Sequence, residues 1–93
     1  MQKQDAAKGQ ILPAYFPVSD FYLAAFLICS GFELAHTSRV GPSRVLFFLR
    51  DGTERPQAVN EFYGHKSRVD PLAFKDAIVN LKSLIHAQKA QER

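Results

Sequence analysis

The apolar run from Phe21 to Cys29 constrains the fold more than any other feature of this sequence. Ser19 and Asp20 precede the run and Gly31 follows it, and these residue types commonly begin and end helices. At about 1.5 Å per residue, a helix of this length spans less than about 20 Å, too short for a bilayer core of about 30 Å. A helix that is apolar on every side belongs in the interior of a fold. The run therefore predicts a central helix from Ser19 to Ser30, with Ser19 as its N-cap, that the other segments cover.

Two β-prone segments, residues 32–40 and 44–50, flank the turn signal Gly41-Pro42-Ser43 and predict an antiparallel hairpin. The second segment is apolar on both faces and must be covered on both. Residues 11–18 are apolar but contain two prolines, which limits them to a short edge strand. In the first hairpin strand, we expect one face to meet water, since alternation places Glu33, Thr37 and Arg39 on one side and Leu34, His36 and Val40 on the other.

Two further helices are predicted after the hairpin. Pro56 suits the first turn of a short helix, which Gly64 ends. Asp70 and Pro71 open a longer helix that runs to about residue 90, with an apolar stripe at helical spacing: Phe74, Ala77, Ile78, Leu81, Leu84 and Ile85. The whole order predicts an α+β fold. A small antiparallel sheet, made of the hairpin and a short N-terminal strand, packs with one central buried helix, one short helix and one long C-terminal helix.

Length and composition indicate one domain. The chain has 93 residues, of which 46% are apolar, and this is enough for a single core. We expect residues 1–10 to form a flexible tail, residues 11–88 the domain and residues 89–93 a frayed C-terminus. The single cysteine, Cys29, excludes an intramolecular disulfide, and its position in the apolar run favours packing over reactivity. Because the N-terminus lacks the apolar run of a signal peptide, we expect a cytoplasmic protein.

No segment has the pattern of a catalytic, cofactor or metal site. The three histidines lie on separate predicted elements, and no ligand-type residue follows any of them at helical spacing. The carboxylates at Asp20, Asp51, Asp70 and Asp76 fit helix caps, a turn and a helix surface. We therefore predict no catalytic residues, no cofactor and no metal. An enzyme whose site is assembled from scattered residues is the least favoured hypothesis.

The favoured hypothesis is a non-enzymatic interaction module that self-associates. The predicted helices must cover a central helix and a strand that is apolar on both faces, and one of these helices is short. A second copy of the chain can cover the remainder, either through the sheet or through the side formed by Val59, Phe62 and Tyr63. We expect a homodimer and no membrane partner, and a self-sufficient monomer is the alternative.

The basic residues support a second hypothesis, nucleic-acid binding. The net charge of +3 permits an acidic partner without requiring one. Five basic residues on the hairpin and the following loops can bind phosphates if they share one face: Arg39, Arg44, Arg50, Lys66 and Arg68. The alternative is a solvated surface balanced by carboxylates. A solvated surface is favoured for the regularly spaced lysines of the last helix, Lys75, Lys82 and Lys89.

Several spaced segments resemble a known family. They are S-D-F-Y-L-A-A-F-L followed by a glycine, an F-F strand, E-F-Y-G, and V-D-P-L-A-F with L-K-S-L. This pattern, over residues 15–85, is similar to an uncharacterised family of small bacterial and phage-borne domains, known only as a domain of unknown function. The resemblance implies no activity, cofactor or catalytic residue. The residues that carry it are Asp20, Leu23, Ala24, Ala25, Gly31, Phe62, Tyr63, Gly64 and Lys82.

Overall fold

The computed structural model describes residues 14–91, with the backbone alone for residues 88–91. In chain order the elements are β1 (Tyr15–Val18), α1 (Phe21–Cys29), β2 (Leu34–Gly41), β3 (Arg44–Arg50), α2 (Arg55–Tyr63) and α3 (Pro71–Gln91). The predicted α+β fold is confirmed, including the N-terminal strand, the hairpin and the long C-terminal helix. The predicted tail, residues 1–10, lies outside the described residues, and the domain limits stay a prediction.

The sheet is antiparallel, with β3 between β1 and β2. In the pairing of β1 with β3, Phe16 lies opposite Leu49 and Val18 lies opposite Phe47. Pro17 has no N–H to donate, and the edge position of β1 accommodates it because only one side of that strand is paired. The predicted short edge strand is therefore present at Tyr15–Val18.

A β-bulge near Ala35 changes which side chains of β2 face the core. Leu34 lies opposite Leu49, whereas His36, two residues further along, lies opposite Phe48, only one residue away. Residues directly opposite each other share a face of the sheet, so Leu34 faces the core and His36 faces the other way. The alternation predicted from the sequence, which placed both residues on one face, is wrong.

The core lies between one face of the sheet and the helices. From the sheet it takes Phe47, Leu49 and Val18, and from α3 it takes Ala77 and Leu81. The α1 residues from Leu23 to Leu27 are all buried. Five consecutive buried residues cover more than one helical turn, so the neighbouring elements enclose the middle of α1 on every side, whereas Tyr22 in its first turn is 55% exposed. The predicted central helix is confirmed.

The ends of α1 follow the sequence signals with one correction. The N-cap is Asp20, whose Oδ1 accepts hydrogen bonds from the N–H groups of Tyr22 at 3.0 Å and Leu23 at 3.2 Å. The predicted cap, Ser19, lies one residue too early. At the other end Gly31 has a left-handed φ of 103°, which a residue without a Cβ adopts without strain.

Candidate interaction surface

The face of the sheet that points away from the helices is the most distinctive surface of the domain. The register places alternate residues of all three strands on it. Apolar members such as Leu46 and Phe48 are absent from the core and from the residues that pack against it. We term this surface the outer sheet face; it comprises Tyr15, Pro17, His36, Ser38, Leu46 and Phe48, with Arg44 and Arg50 at the two ends of β3.

Three rings on the outer sheet face form a contiguous cluster. The rings of His36 and Phe48 are stacked, with centroids 4.5 Å apart and planes 14° from parallel. Tyr15 meets His36 edge-on, with centroids 5.6 Å apart. These contacts link side chains of all three strands, and 42% of the Tyr15 surface is exposed. The cluster therefore offers aromatic surface to a partner instead of to the core.

The arginines at the ends of β3 make this face both aromatic and cationic. The Arg50 guanidinium lies 5.7 Å from the centroid of the Tyr15 ring, within the range of a cation–π contact. Its Nε also donates to Glu33 Oε1 at 3.0 Å, in an exposed ion pair whose carboxylate offsets part of the positive charge at this end of the face. Arg44, at the opposite end of β3, is exposed. One arginine thus lies beside the rings, and the other lies at the hairpin end of the same strand.

The five residues predicted to bind nucleic acid lie in different places. Arg44 and Arg50 belong to the outer sheet face. Arg39 lies opposite Val45 in the β2–β3 register, and its Nη2 donates to the carbonyl of Pro42 in the hairpin turn. Two members follow α2: Lys66 is exposed, and Arg68 lines a groove with Glu54 and Glu61. The structure thus places two of the five, Arg44 and Arg50, on the outer sheet face at opposite ends of β3, with Arg50 beside the Tyr15 ring, and nucleic-acid binding stays a prediction.

The three residues predicted for self-association make contacts within the domain. Val59 packs against the core, and the Phe62 ring stacks on Phe26 with centroids 5.4 Å apart. Tyr63 is exposed, but its hydroxyl donates to Asp20 Oδ2 at 2.8 Å, and this bond raises the pKa of Tyr63. Self-association through this side of α2 stays a prediction.

The ion pair between Asp51 and Arg55 belongs to the framework of the domain. Asp51 accepts hydrogen bonds from Arg55 Nε at 2.9 Å and Arg55 Nη2 at 3.2 Å. These bonds hold the pKa of Asp51 below its ordinary value, and the bond from the Gly52 N–H acts in the same direction. The Arg55 guanidinium lies 3.8 Å from the centroid of the Phe16 ring. The pair therefore joins the start of α2 to β1, which is a structural role.

Cys29 lies at the end of α1 and is half-buried against the core. Burial raises the pKa of its thiol, and the charges of Asp70 and Asp76 raise it further. A raised pKa keeps the sulfur in the neutral thiol form near pH 7, and the neutral thiol is a poor nucleophile. Within the part of the chain that the structure describes, no group of His, Cys, Asp and Glu residues is arranged to hold a metal ion.

Together the fold and the surface define a small α+β domain with an aromatic cluster on the outer sheet face. The chain belongs to the family described as a domain of unknown function (DUF5659), whose model matches residues 13–87. The predicted membership of a family without an assigned function is confirmed. No curated protein and no solved structure matches the chain. Among the described residues, no helix has both the length and the hydropathy to cross a membrane.

Proposed function

We propose that the domain is a non-enzymatic interaction module that pairs with a second copy of itself through the outer sheet face. The observation that supports this function is the aromatic cluster of Tyr15, His36 and Phe48, which lies on the face of the sheet away from the core. Burial of such apolar surface stabilises an interface by about 25 cal/mol per Å². A strand that is apolar on both faces gains this term on its second face only when a partner covers it.

The size of the face limits the strength of the pairing. The seven residues of β3 span about 23 Å, and three strands span about 14 Å across the sheet. A face of this size covers roughly 320 Å² in projection, less than half of the about 800 Å² that each partner buries in a specific interface of standard size. We therefore expect a weak homodimer with a micromolar dissociation constant, formed around a two-fold axis that places the same face of both copies in contact.

A charge on the outer sheet face tests this pairing. In the wild-type protein we expect the weight-average mass from sedimentation equilibrium to rise toward twice 10.5 kDa as the concentration increases. Phe48→Lys places a charge in the centre of the proposed interface, so this variant should stay monomeric up to about 500 μM. The matched control is Leu72→Lys on α3, because Leu72 is 65% exposed and lies outside this face. A wild-type chain that is monomeric throughout would contradict the proposal.

Binding of single-stranded nucleic acid is the second candidate function, and the observation that favours it is the position of the arginines. Arg44 and Arg50 border the same face as the rings of Tyr15, His36 and Phe48. Single-stranded nucleic acids bind surfaces on which bases stack on aromatic rings while basic groups contact phosphates. The outer sheet face has both features, with the rings toward the Arg50 end of β3 and one arginine at each end of that strand.

The dependence on salt separates the two candidates. Binding of a fluorescent oligonucleotide should weaken as salt rises, with a slope of log K against log salt of about −0.7 for each phosphate contacted. Arg44→Glu with Arg50→Glu should abolish this binding, whereas the control variant, Lys75→Glu with Lys82→Glu on α3, should retain most of it. Pairing through an apolar face persists at high salt. Constant fluorescence anisotropy at about 50 mM salt would exclude nucleic-acid binding, because charge-driven association is strongest at low salt.

A further inference from the structure

A groove of about 300 Å³ opens at the hairpin end of the domain, on the side of the sheet opposite to the outer sheet face. Its apolar lining comes from three elements: Phe21 at the start of α1, Val45 and Phe47 on β3, and Ile85 on α3. Phe47 is buried, and its ring meets the Phe21 ring edge-on with centroids 6.2 Å apart. The groove therefore has an apolar floor built from the edge of the core.

The groove exists because the inward-facing positions of β2 become polar toward the hairpin turn. Thr37 lies opposite Phe47, and Arg39 lies opposite Val45. Neither side chain can extend the apolar layer that Leu34 begins at the other end of the strand. The helices therefore cover the inner face of the sheet incompletely near the turn, and a cavity opens there.

The rim of the groove is cationic and rich in hydroxyl groups. Arg39 and Arg44 line it from the two strands of the hairpin, and Ser19 and Ser43 line it from the α1 side and the turn. The bond from Arg39 to the carbonyl of Pro42 holds that guanidinium at the turn. None of the described residues that line this groove is acidic, whereas the groove beside Arg68 contains Glu54 and Glu61.

We propose that this groove binds a small organic anion with an apolar body. The floor suits one or two rings or a short aliphatic chain, since small-molecule sites begin at about 300 Å³. The Arg44 guanidinium and the two serine hydroxyls provide donors for a carboxylate, sulfonate or phosphate ester, and Arg39 adds a second positive charge at the rim. The floor of this site belongs to the side of β3 opposite to the outer sheet face, whereas Arg44, at the end of β3, lines the groove and also borders the outer sheet face.

A fluorescent anion and its uncharged analogue test the site. The probe is 8-anilinonaphthalene-1-sulfonate, and the analogue is N-phenyl-1-naphthylamine, which keeps the rings but lacks the sulfonate. We expect the sulfonate to bind the folded protein one-to-one, and the analogue to bind at least about ten-fold more weakly. In a ¹H–¹⁵N correlation spectrum, the sulfonate should shift the amide signals of Ser43, Val45 and Phe47 and leave those of His36 and Phe48 in place.

Three variants complete the experiment. Arg44→Gln should weaken sulfonate binding about five-fold, whereas Arg68→Gln removes an arginine from the other groove and should leave binding unchanged. Ser43→Trp, in the exposed turn, should block the groove and abolish binding without unfolding the domain, as checked by circular dichroism. Equal affinity for sulfonate and analogue, unchanged binding in Arg44→Gln, or shifts confined to the outer sheet face would each overturn the proposal.

Discussion

At the scale of single residues, the small side chains of α1 set how closely the other elements approach it. Ala24 and Ala25 are both completely buried, next to the larger Leu23, Phe26 and Leu27. Protein interiors are packed as densely as organic crystals, so each alanine methyl marks a place where a neighbouring element lies against the helix. Extra volume at such a position has to displace that neighbour.

Replacement of Ala25 by leucine should therefore overpack the core. We expect Ala25→Leu to lower the free energy of unfolding by about 1–3 kcal/mol, because the added carbons force neighbouring side chains from their preferred rotamers. Urea denaturation measures this change. The control is Ala73→Leu in the first turn of α3, where the side chain is exposed and leucine is nearly as good a helix former as alanine. An unchanged midpoint for Ala25→Leu would contradict the close packing of α1.

The burial of α1 was predictable from the sequence, whereas the identity of its N-cap was not. A run of apolar residues between capping residue types indicates a buried helix whichever residue forms the cap. Ser19 and Asp20 are both good N-caps, and the choice depends on the backbone. Asp20 has extended dihedral angles (φ −78°, ψ 112°) that aim its carboxylate at the first turn of the helix. Those angles follow from the path of the chain out of β1, and no local pattern encodes that path.

At the scale of elements, α2 ends in an unusual way, because the C-cap is a glycine but the left-handed conformation falls on the residue after it. Gly64 is the C-cap and has an ordinary φ of −84°, whereas His65 adopts the left-handed conformation with φ 62°. The N–H groups of His65 and Lys66 donate to the carbonyls of Phe62 and Glu61, which completes a Schellman motif. The prediction that Gly64 ends the helix is confirmed, although the left-handed residue is the one after it.

Two substitutions at this helix end should have opposite effects on stability. His65→Gly should raise the free energy of unfolding by about 0.5 kcal/mol, because glycine adopts the left-handed region without the cost borne by a residue with a Cβ. Gly64→Ala should lower it by about 1 kcal/mol, because a Cβ at residue 64 would lie 3.0 Å from the carbonyl oxygen of Asn60. Urea denaturation curves of both variants, compared with wild type, measure the difference. Changes of the same sign in the two variants would contradict this assignment.

The elements and their order were predictable from the sequence, whereas the outer sheet face was only partly so. Leu46 and Phe48 stood out because they make β3 apolar on both faces, and strand alternation places Arg44 and Arg50 beside them. The sequence pattern placed His36 on the same face as Leu34, which is wrong because the bulge near Ala35 reverses the alternation of β2 at that point. The stacking of His36 on Phe48 depends on that bulge, and strand periodicity alone gives no sign of it.

At the scale of the whole molecule, the helices pack on one side of the sheet, and none of the other described elements forms a covering layer on its other side. Strand β3 presents Phe47 and Leu49 to the core and Leu46 and Phe48 to the other side. The chain is short, and small domains bury a smaller share of their surface than large ones. If the outer sheet face pairs with a second copy, the stability of the domain includes a contribution from that pairing.

Thermal unfolding should therefore depend on protein concentration. When the concentration of partner is ten-fold above the dissociation constant, binding adds about 1.4 kcal/mol to the free energy of unfolding. For a domain of this size, that corresponds to a rise in Tm of about 5–10 °C. We expect the Tm of the wild-type protein, measured by circular dichroism, to rise by this amount as the protein concentration increases from about 5 to about 500 μM.

The Tm of Phe48→Lys should be the same at every protein concentration. Leu72→Lys should behave as the wild type, because its side chain lies on α3, away from the proposed interface. A wild-type Tm that stays constant across the series would show that the outer sheet face does not pair, and nucleic-acid binding would then be the better-supported use of its rings and arginines.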